Sequence, residues 1–264
     1  MKNYKQICGE VIKLSKIAGE FIRNEKGNIN AKSIETKSLN SYVTYVDKNA
    51  EQIIVDALKL ILPEAGFITE EETETIQSEE YNWIVDPLDG TTNFIHGLEP
   101  FSVSIALEEK GSIVVGVVYE IGNDECFSAF KDSPANLNGK EISVSSNKTL
   151  AESLIATGFP YYDFKINKNI LRSLEYFMEN SQGIRRFGSA ATDLAYVACG
   201  RFDAFYEYSL NIWDVAAGAF IVERAGGKVS DFSKGNNFLY GREMVAANSL
   251  VFDEFSDIVK KFLN

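Results

Sequence analysis

The stretch Trp83-Ile84-Val85-Asp86-Pro87-Leu88-Asp89-Gly90-Thr91-Thr92-Asn93-Phe94 decides how the chain is read. Trp83, Ile84 and Val85 form a short apolar run suited to a buried strand. Pro87 drives Asp86 toward an extended backbone and removes a donor, so the strand is expected to stop there. Asp89-Gly90 reads as a tight turn, and Thr91, Thr92 and Asn93 as residues that cap a helix start. Two carboxylates, three residues apart, therefore sit at the mouth of a strand. Beside them is a glycine turn whose N–H groups can face an anion. Mg²⁺ is commonly held by a few carboxylates plus substrate phosphate, so the pattern suits metal-assisted phosphate chemistry. A solvated turn can also carry Asp-x-x-Asp after a strand, and this stretch alone leaves both readings open.

The rest of the composition narrows the choice. At 264 residues the chain has length for one large domain, 1–264, or two closely packed halves, 1–145 and 146–264. Its 45% hydrophobic and 24% charged residues are ordinary for a soluble globular protein. A formal charge of −12 argues against a nucleic-acid backbone or an anionic membrane as the main partner. A small phosphorylated substrate stays open, because bound cations reverse the local sign of an acidic cleft. Cys8, Cys126 and Cys199 are widely spaced, without a Cys-x-x-Cys pair, as expected of reduced thiols in a cytoplasmic protein. The N-terminus runs into an amphipathic pattern rather than a signal peptide, and no stretch approaches a membrane span. His96 is the only histidine and no Gly-x-Ser-x-Gly elbow is present. A Ser-His-Asp hydrolase and a His/Cys zinc site are both poorly supplied. Acid–base and metal work falls to carboxylates and hydroxyls.

Outward from the central stretch, periodicity predicts helices over 7–22, from Asp47 as N-cap to Pro63, around 170–178, after Gly188-Ser189-Ala190-Ala191-Thr192-Asp193, through Trp213-Asp214-Val215-Ala216-Ala217-Gly218, and over 252–262. Residues 27–41 read as a loop or loose hairpin, in which Lys37 is most simply solvated. Strands are expected at 67–69, running into the glutamates Glu70-Glu71-Glu72, and at 101–107 and 113–119 joined through Lys110-Gly111. Further strands are expected at 125–130, 154–157, 184–187, 202–206, 228–232 and 244–247, with a turn at Asn138-Gly139. Irregular alternation of this kind favours a layered α/β protein, an α+β sandwich of helices and mixed sheets.

Two stretches then carry a close resemblance to the inositol monophosphatase family of Mg²⁺-dependent, lithium-sensitive phosphatases. Residues 83–94 match the family's W-[IV]-[IV]-D-P-[IL]-D-G-T-T-N-F signature, and 213–218 match its W-D-x-A-A-G signature. Val43-Thr44 before Asp47, Phe67-Ile68 before Glu70-Glu71, and Gly188-Ser189-Ala190-Ala191 are similar in the same order. The resemblance implies Glu70, Asp86, Asp89, Asp214 and the Leu88 carbonyl as ligands of two or three Mg²⁺ ions. It implies Glu70, Thr91 and Asp47 as the groups that orient and deprotonate the attacking water. It places Gly90, Thr91, Ser189, Ala190, Glu207 and Asp214 at the substrate. The implied reaction is hydrolysis of a small polyol phosphate such as myo-inositol 1-phosphate, in a homodimer without a covalent enzyme intermediate. Fructose-1,6-bisphosphate, 3′-phosphoadenosine 5′-phosphate or histidinol phosphate would use the same chemistry, and a weakly catalytic homodimeric interaction protein is the alternative of another class. Three positions depart from the family pattern: Thr69 for the usual glycine, Ser41 for an aspartate, and Arg224 for a glutamate.

Overall fold

The computed structural model describes residues 2–28, 34–38, 41–160 and 164–264, with 34–38 and 41–43 described by backbone alone. The chain begins with α1 (Tyr4–Glu25), the antiparallel pair β1 (Ile34–Ser38) and β2 (Ser41–Thr44), and α2 (Tyr45–Ile61). Next come β3 (Gly66–Thr69), β4 (Tyr81–Asp89), the short α3 (Thr91–Ile95), β5 (Ser102–Glu109), β6 (Ser112–Glu120), β7 (Glu125–Phe130), β8 (Asn136–Leu137) and β9 (Lys140–Glu141). The remainder is β10 (Leu154–Thr157), α4 (Asn167–Asn180), β11 (Gly183–Arg185), α5 (Ala190–Ala198), β12 (Ala204–Tyr208), α6 (Ile212–Arg224), β13 (Gly227–Ser230), β14 (Glu243–Asn248) and α7 (Phe252–Leu263).

Strands β3 to β9 form one sheet in sequence order, parallel only between β3 and β4. A second sheet runs β11-β10-β12-β14-β13, parallel on the β11 and β12 sides of β10 and antiparallel beyond. Side-chain alternation explains how these sheets stack. On β4, Trp83 and Val85 face α1 and α2, whereas Ile84 faces α5 and α6. On β12, Phe205 faces α5 and α6, while Ala204 and Tyr206 face α4 and α7. The result is a helix–sheet–helix–sheet–helix sandwich, the layered fold expected from the chain. Its middle helices are buried on both sides, which is why α5 and α6 are so rich in alanine. They pack tightly at Gly218, where a Cβ would stand 2.6 Å from Leu194 Cβ.

Three local expectations are corrected. Strand β4 does not stop at Asp86; it runs to Asp89 through a bulge, with Asp86 opposite Ser104 and Asp89 opposite Ser102. A bulge is where a strand accommodates proline, since the missing N–H of Pro87 needs no ladder partner there. Thr91, Thr92 and Asn93 lie inside α3 rather than capping it; Gly90, at φ +92°, is the cap and contributes no side-chain bond. Asp47 is not the N-cap of α2 but its third helical residue, closing a capping box with Thr44. Residues 34–38 and 41–44 pair as an antiparallel hairpin, the second of the two readings of 27–41, and the side chains of Lys37 and Ser41 lie outside those described. The other departures are accommodated locally. Thr69 Oγ1 donates to the Glu74 carbonyl (3.2 Å), and Arg224 Nε donates to the Ser133 carbonyl (2.6 Å).

Candidate active site

One pocket gathers residues from five separate parts of the chain. Glu70, Asp86, Leu88, Asp89, Gly90, Thr91, Ala190, Glu207 and Asp214 all line it. The β4 bulge supplies the centre: the Leu88 N–H donates to Asp86 Oδ1 (2.9 Å), turning the Asp86 carboxylate back on its own chain. Asp214 enters from the first turn of α6, where its Oδ2 accepts the Asn211 N–H (2.6 Å) and the helix dipole favours its charge. Asp89 is held by the start of α5, whose Ala191 N–H donates to Oδ2 (2.8 Å) together with the Ser189 hydroxyl (2.6 Å).

Thr91 bridges the pocket to α2. Its single hydroxyl proton has two acceptors in reach, Asp47 Oδ1 (2.9 Å) and the Leu88 carbonyl (3.0 Å). With that proton engaged, the hydroxyl oxygen is left to accept from a water. Asp47 is buried behind it and also accepts the N–H (2.8 Å) and hydroxyl (2.7 Å) of Thr44. Burial pushes its carboxyl above the usual range, and the Thr44 and Thr91 hydrogen bonds pull it back.

Like charges crowd this space. Burial, and then the charges of Glu70, Asp89 and Asp214, hold the Asp86 carboxyl well above its ordinary value; Asp214 is raised by burial and by Asp89 and Glu70. Burial lifts Asp89 to about 6, against the pull of Ser189 and Ala191. Glu207, also buried, is lifted to about 8, with Arg186 pulling the other way. Asp86 and Glu70 come within hydrogen-bonding contact, which two carboxyl groups do by sharing a proton or a cation. Among the described residues no three His, Cys, Asp or Glu side chains stand ready-made around one metal position. The acids instead rim a shared pocket. The donors are all oxygen and the charge is excess negative, a set that fits hard divalent cations such as Mg²⁺ and offers nothing to a thiophilic metal.

The raised carboxyl groups have a consequence for stability. Asp89 and Glu207 both titrate above the unfolded carboxylate range, so the fold prefers them protonated. Their contribution is full at pH values below that range and is lost as pH rises through about 6 and then about 8. In EDTA, the melting temperature measured by scanning fluorimetry is expected to fall by about 5 °C or more from pH 5 to pH 9. Added Mg²⁺ should recover most at the high end. A flat or rising profile in EDTA would refute the electrostatic crowding.

Ser189 and Asp47, both expected at the site, do not line the pocket; Ser189 supports Asp89 and Asp47 supports Thr91. Other residues matter that the sequence reading did not single out. Gly158 leaves room for the Glu207 carboxylate, since a Cβ there would fall 1.9 Å from Glu207 Oε1. Asp193 is 1% exposed, with Oδ1 lacking a hydrogen-bond partner among the described residues, and Glu207, Asp89 and Arg186 are its charged neighbours. Arg242 donates to the carbonyl and hydroxyl of Ser209 (3.1 Å each), bracing a pocket-lining turn. Glu51 grips the turn that follows Glu70. No periodicity or motif marks Gly158, Arg242 or Glu51, because each is defined by a partner distant in sequence.

Known proteins match nearly the full length of the chain. The model of the inositol monophosphatase family matches residues 4–260. A protein of Pseudomonas aeruginosa named Nus factor SuhB is 42% identical over 250 residues, covering 91% of each chain. A Mesorhizobium japonicum protein named inositol-1-monophosphatase is 39% identical over 248 residues, covering 94% of this chain and 93% of that one. The crystal structure of the extragenic suppressor protein suhB from Bartonella henselae superposes with a TM-score of 0.93 at 40% identity, covering 97% of this chain and 99% of that one.

Proposed function

Because the chain belongs to the inositol monophosphatase family, a generally Mg²⁺-dependent group, we propose that it is a phosphatase acting on a small polyol phosphate monoester, myo-inositol 1-phosphate foremost. The observation that carries the reading is the convergence of Glu70, Asp86, Asp89 and Asp214 on one pocket with the Leu88 carbonyl, Gly90 and Thr91. Those four carboxylates and that carbonyl would hold two or three Mg²⁺ ions, which lower the pKa of water and neutralise charge on the phosphoryl oxygens.

The protein's own groups then have distinct tasks. Thr91, its proton directed to Asp47 or Leu88, accepts a hydrogen bond from the attacking water and orients it. Glu70, which lines the same pocket, takes the proton released. Backbone N–H groups of Gly90 and Thr91 face the phosphate, where fixed donors stabilise developing charge. Glu207 accepts hydrogen bonds from substrate hydroxyls, and the small side chain of Ala190 leaves room for the ring. Ser189 keeps Asp89 in place rather than touching substrate.

Phosphate release from a panel of esters, with and without Mg²⁺, tests this. Turnover of myo-inositol 1-phosphate that requires Mg²⁺ supports it; preference for fructose-1,6-bisphosphate, 3′-phosphoadenosine 5′-phosphate or histidinol phosphate reassigns the substrate. Gly158→Ala is expected to raise KM for the polyol phosphate about tenfold or more, because the new methyl displaces Glu207. An unchanged KM would remove Glu207 from substrate binding. A homodimer is part of the same reading, checked by light scattering against the 29.4 kDa chain mass.

A second reading follows from the relative named a Nus factor, at 42% identity. In it the chain acts by binding another macromolecule, and its −12 charge favours a protein over a nucleic acid. Purified protein that releases no phosphate from any ester with Mg²⁺ present would leave this reading standing.

A further inference from the structure

Glu51 lies one helical turn beyond Asp47 on α2, on the same face, and its side chain is completely buried. A buried glutamate that forms no salt bridge among the described residues is unusual and calls for a reason. Its two oxygens supply one. Oε2 accepts the Glu71 N–H (2.9 Å) and Oε1 accepts the Thr73 N–H (2.9 Å), so one carboxylate grips two alternate amides of a single turn. Between them Glu72 adopts φ +56°, a left-handed conformation that a non-glycine residue holds only when its surroundings impose it. On the other side of Glu70, its own N–H donates to the Val85 carbonyl of β4 (3.2 Å). Glu70 is thus pinned at its amide by the sheet and immediately downstream by α2.

We propose that Glu51 is a positioning residue for the cation site: it clamps the turn after β3 so that the Glu70 carboxylate stands opposite Asp86, and so it sets the affinity for Mg²⁺. The inference rests on the reading of the acidic pocket as a Mg²⁺ site. A carboxylate suits the task because both of its arms accept. In Glu51→Gln one arm becomes a donor facing a backbone N–H, and at least one clamp is lost with no change in side-chain size. Helix α2 would then serve the pocket twice, orienting Thr91 through Asp47 and Glu70 through Glu51.

Isothermal titration of Mg²⁺ alone into the full-length protein tests this, with Glu70→Gln as the benchmark for losing the ligand itself. Glu51→Gln is expected to weaken Mg²⁺ binding about tenfold or more, the effect typical of losing a group that orients a metal ligand. Amide exchange at Glu71 and Thr73 should accelerate in the same variant. A folded Glu51→Gln protein that binds Mg²⁺ within about twofold of wild type, with those amides exchanging faster, overturns the proposal and makes the clamp purely structural. If Glu51→Gln does not fold, Glu51→Asp decides on the same threshold: it keeps the charge but is too short to reach both amides. Loss of folding in both variants also overturns it. Wild-type protein that binds no Mg²⁺, or a Glu70→Gln protein that binds it normally, refutes the metal-site reading itself; equal binding by wild type and Glu51 variants refutes Glu51 alone.

Discussion

Asp89→Asn is expected to lower kcat/KM for phosphate release by about 10³-fold or more while the fold stays intact. The two effects have separate origins. The asparagine oxygen can still accept from the Ala191 N–H or the Ser189 hydroxyl, both of which donate to Asp89 now. Start-of-helix contacts to α5 therefore survive, and the side chain keeps its volume. What disappears is a negative charge in a pocket where burial and Glu70 already push the Asp89 carboxyl up to about 6. Without Mg²⁺ that charge is a burden, so the variant's melting temperature in EDTA should match or exceed wild type. On the proposed reading the same charge is a Mg²⁺ ligand, so the rise in melting temperature on adding Mg²⁺ should shrink. Steady-state phosphate release and fluorimetry with and without Mg²⁺ give both numbers. Activity within tenfold of wild type would remove Asp89 from the metal site.

Gly218→Val is expected to destabilise the protein by about 3 kcal/mol or more, through overpacking rather than through chemistry. Helices α5 and α6 form the layer between the two sheets, and they meet at Gly218 against Leu194. A Cβ at 218 would lie 2.6 Å from Leu194 Cβ and 2.9 Å from Leu194 Cδ1, inside contact distance before the valine methyls are added. Leu194 cannot retreat, since it is fully buried between layers. The helices must separate, and both carry the site: α5 donates to Asp89, and α6 begins with Asp214. A fall in melting temperature of about 6 °C or more, with weaker Mg²⁺ binding, is the expected pair of results. Gly218→Ala should show a smaller fall of the same sign. Wild-type stability in the valine variant would mean the helix pair is looser than its spacing implies.

Much of this was legible in the sequence. Residues 125–130 and 154–157 read as strands to the residue, because short β-branched and aromatic runs between turn signals leave little choice. The helix expected through 213–218 is there as part of α6, and its Gly218 lies against Leu194 of α5. The errors share a cause. Pro87 reads locally as a strand end, and Asp47 as an N-cap, because the local reading omits partners. A bulge opposite Val103 carries the strand through Pro87, and Thr44 takes the cap, leaving Asp47 to turn toward Thr91.

The types and order of the acidic, hydroxyl and glycine residues were written in the sequence itself, and those residues are the ones that line one pocket. The partnerships were decided by tertiary structure alone: Ser189 with Asp89 across 100 residues, Thr91 with Asp47 across 44, Glu51 with the turn after Glu70, and Gly158 making room for Glu207. A hydrogen bond or a clash depends on where two distant segments are brought by packing the layers, and no local pattern encodes that distance.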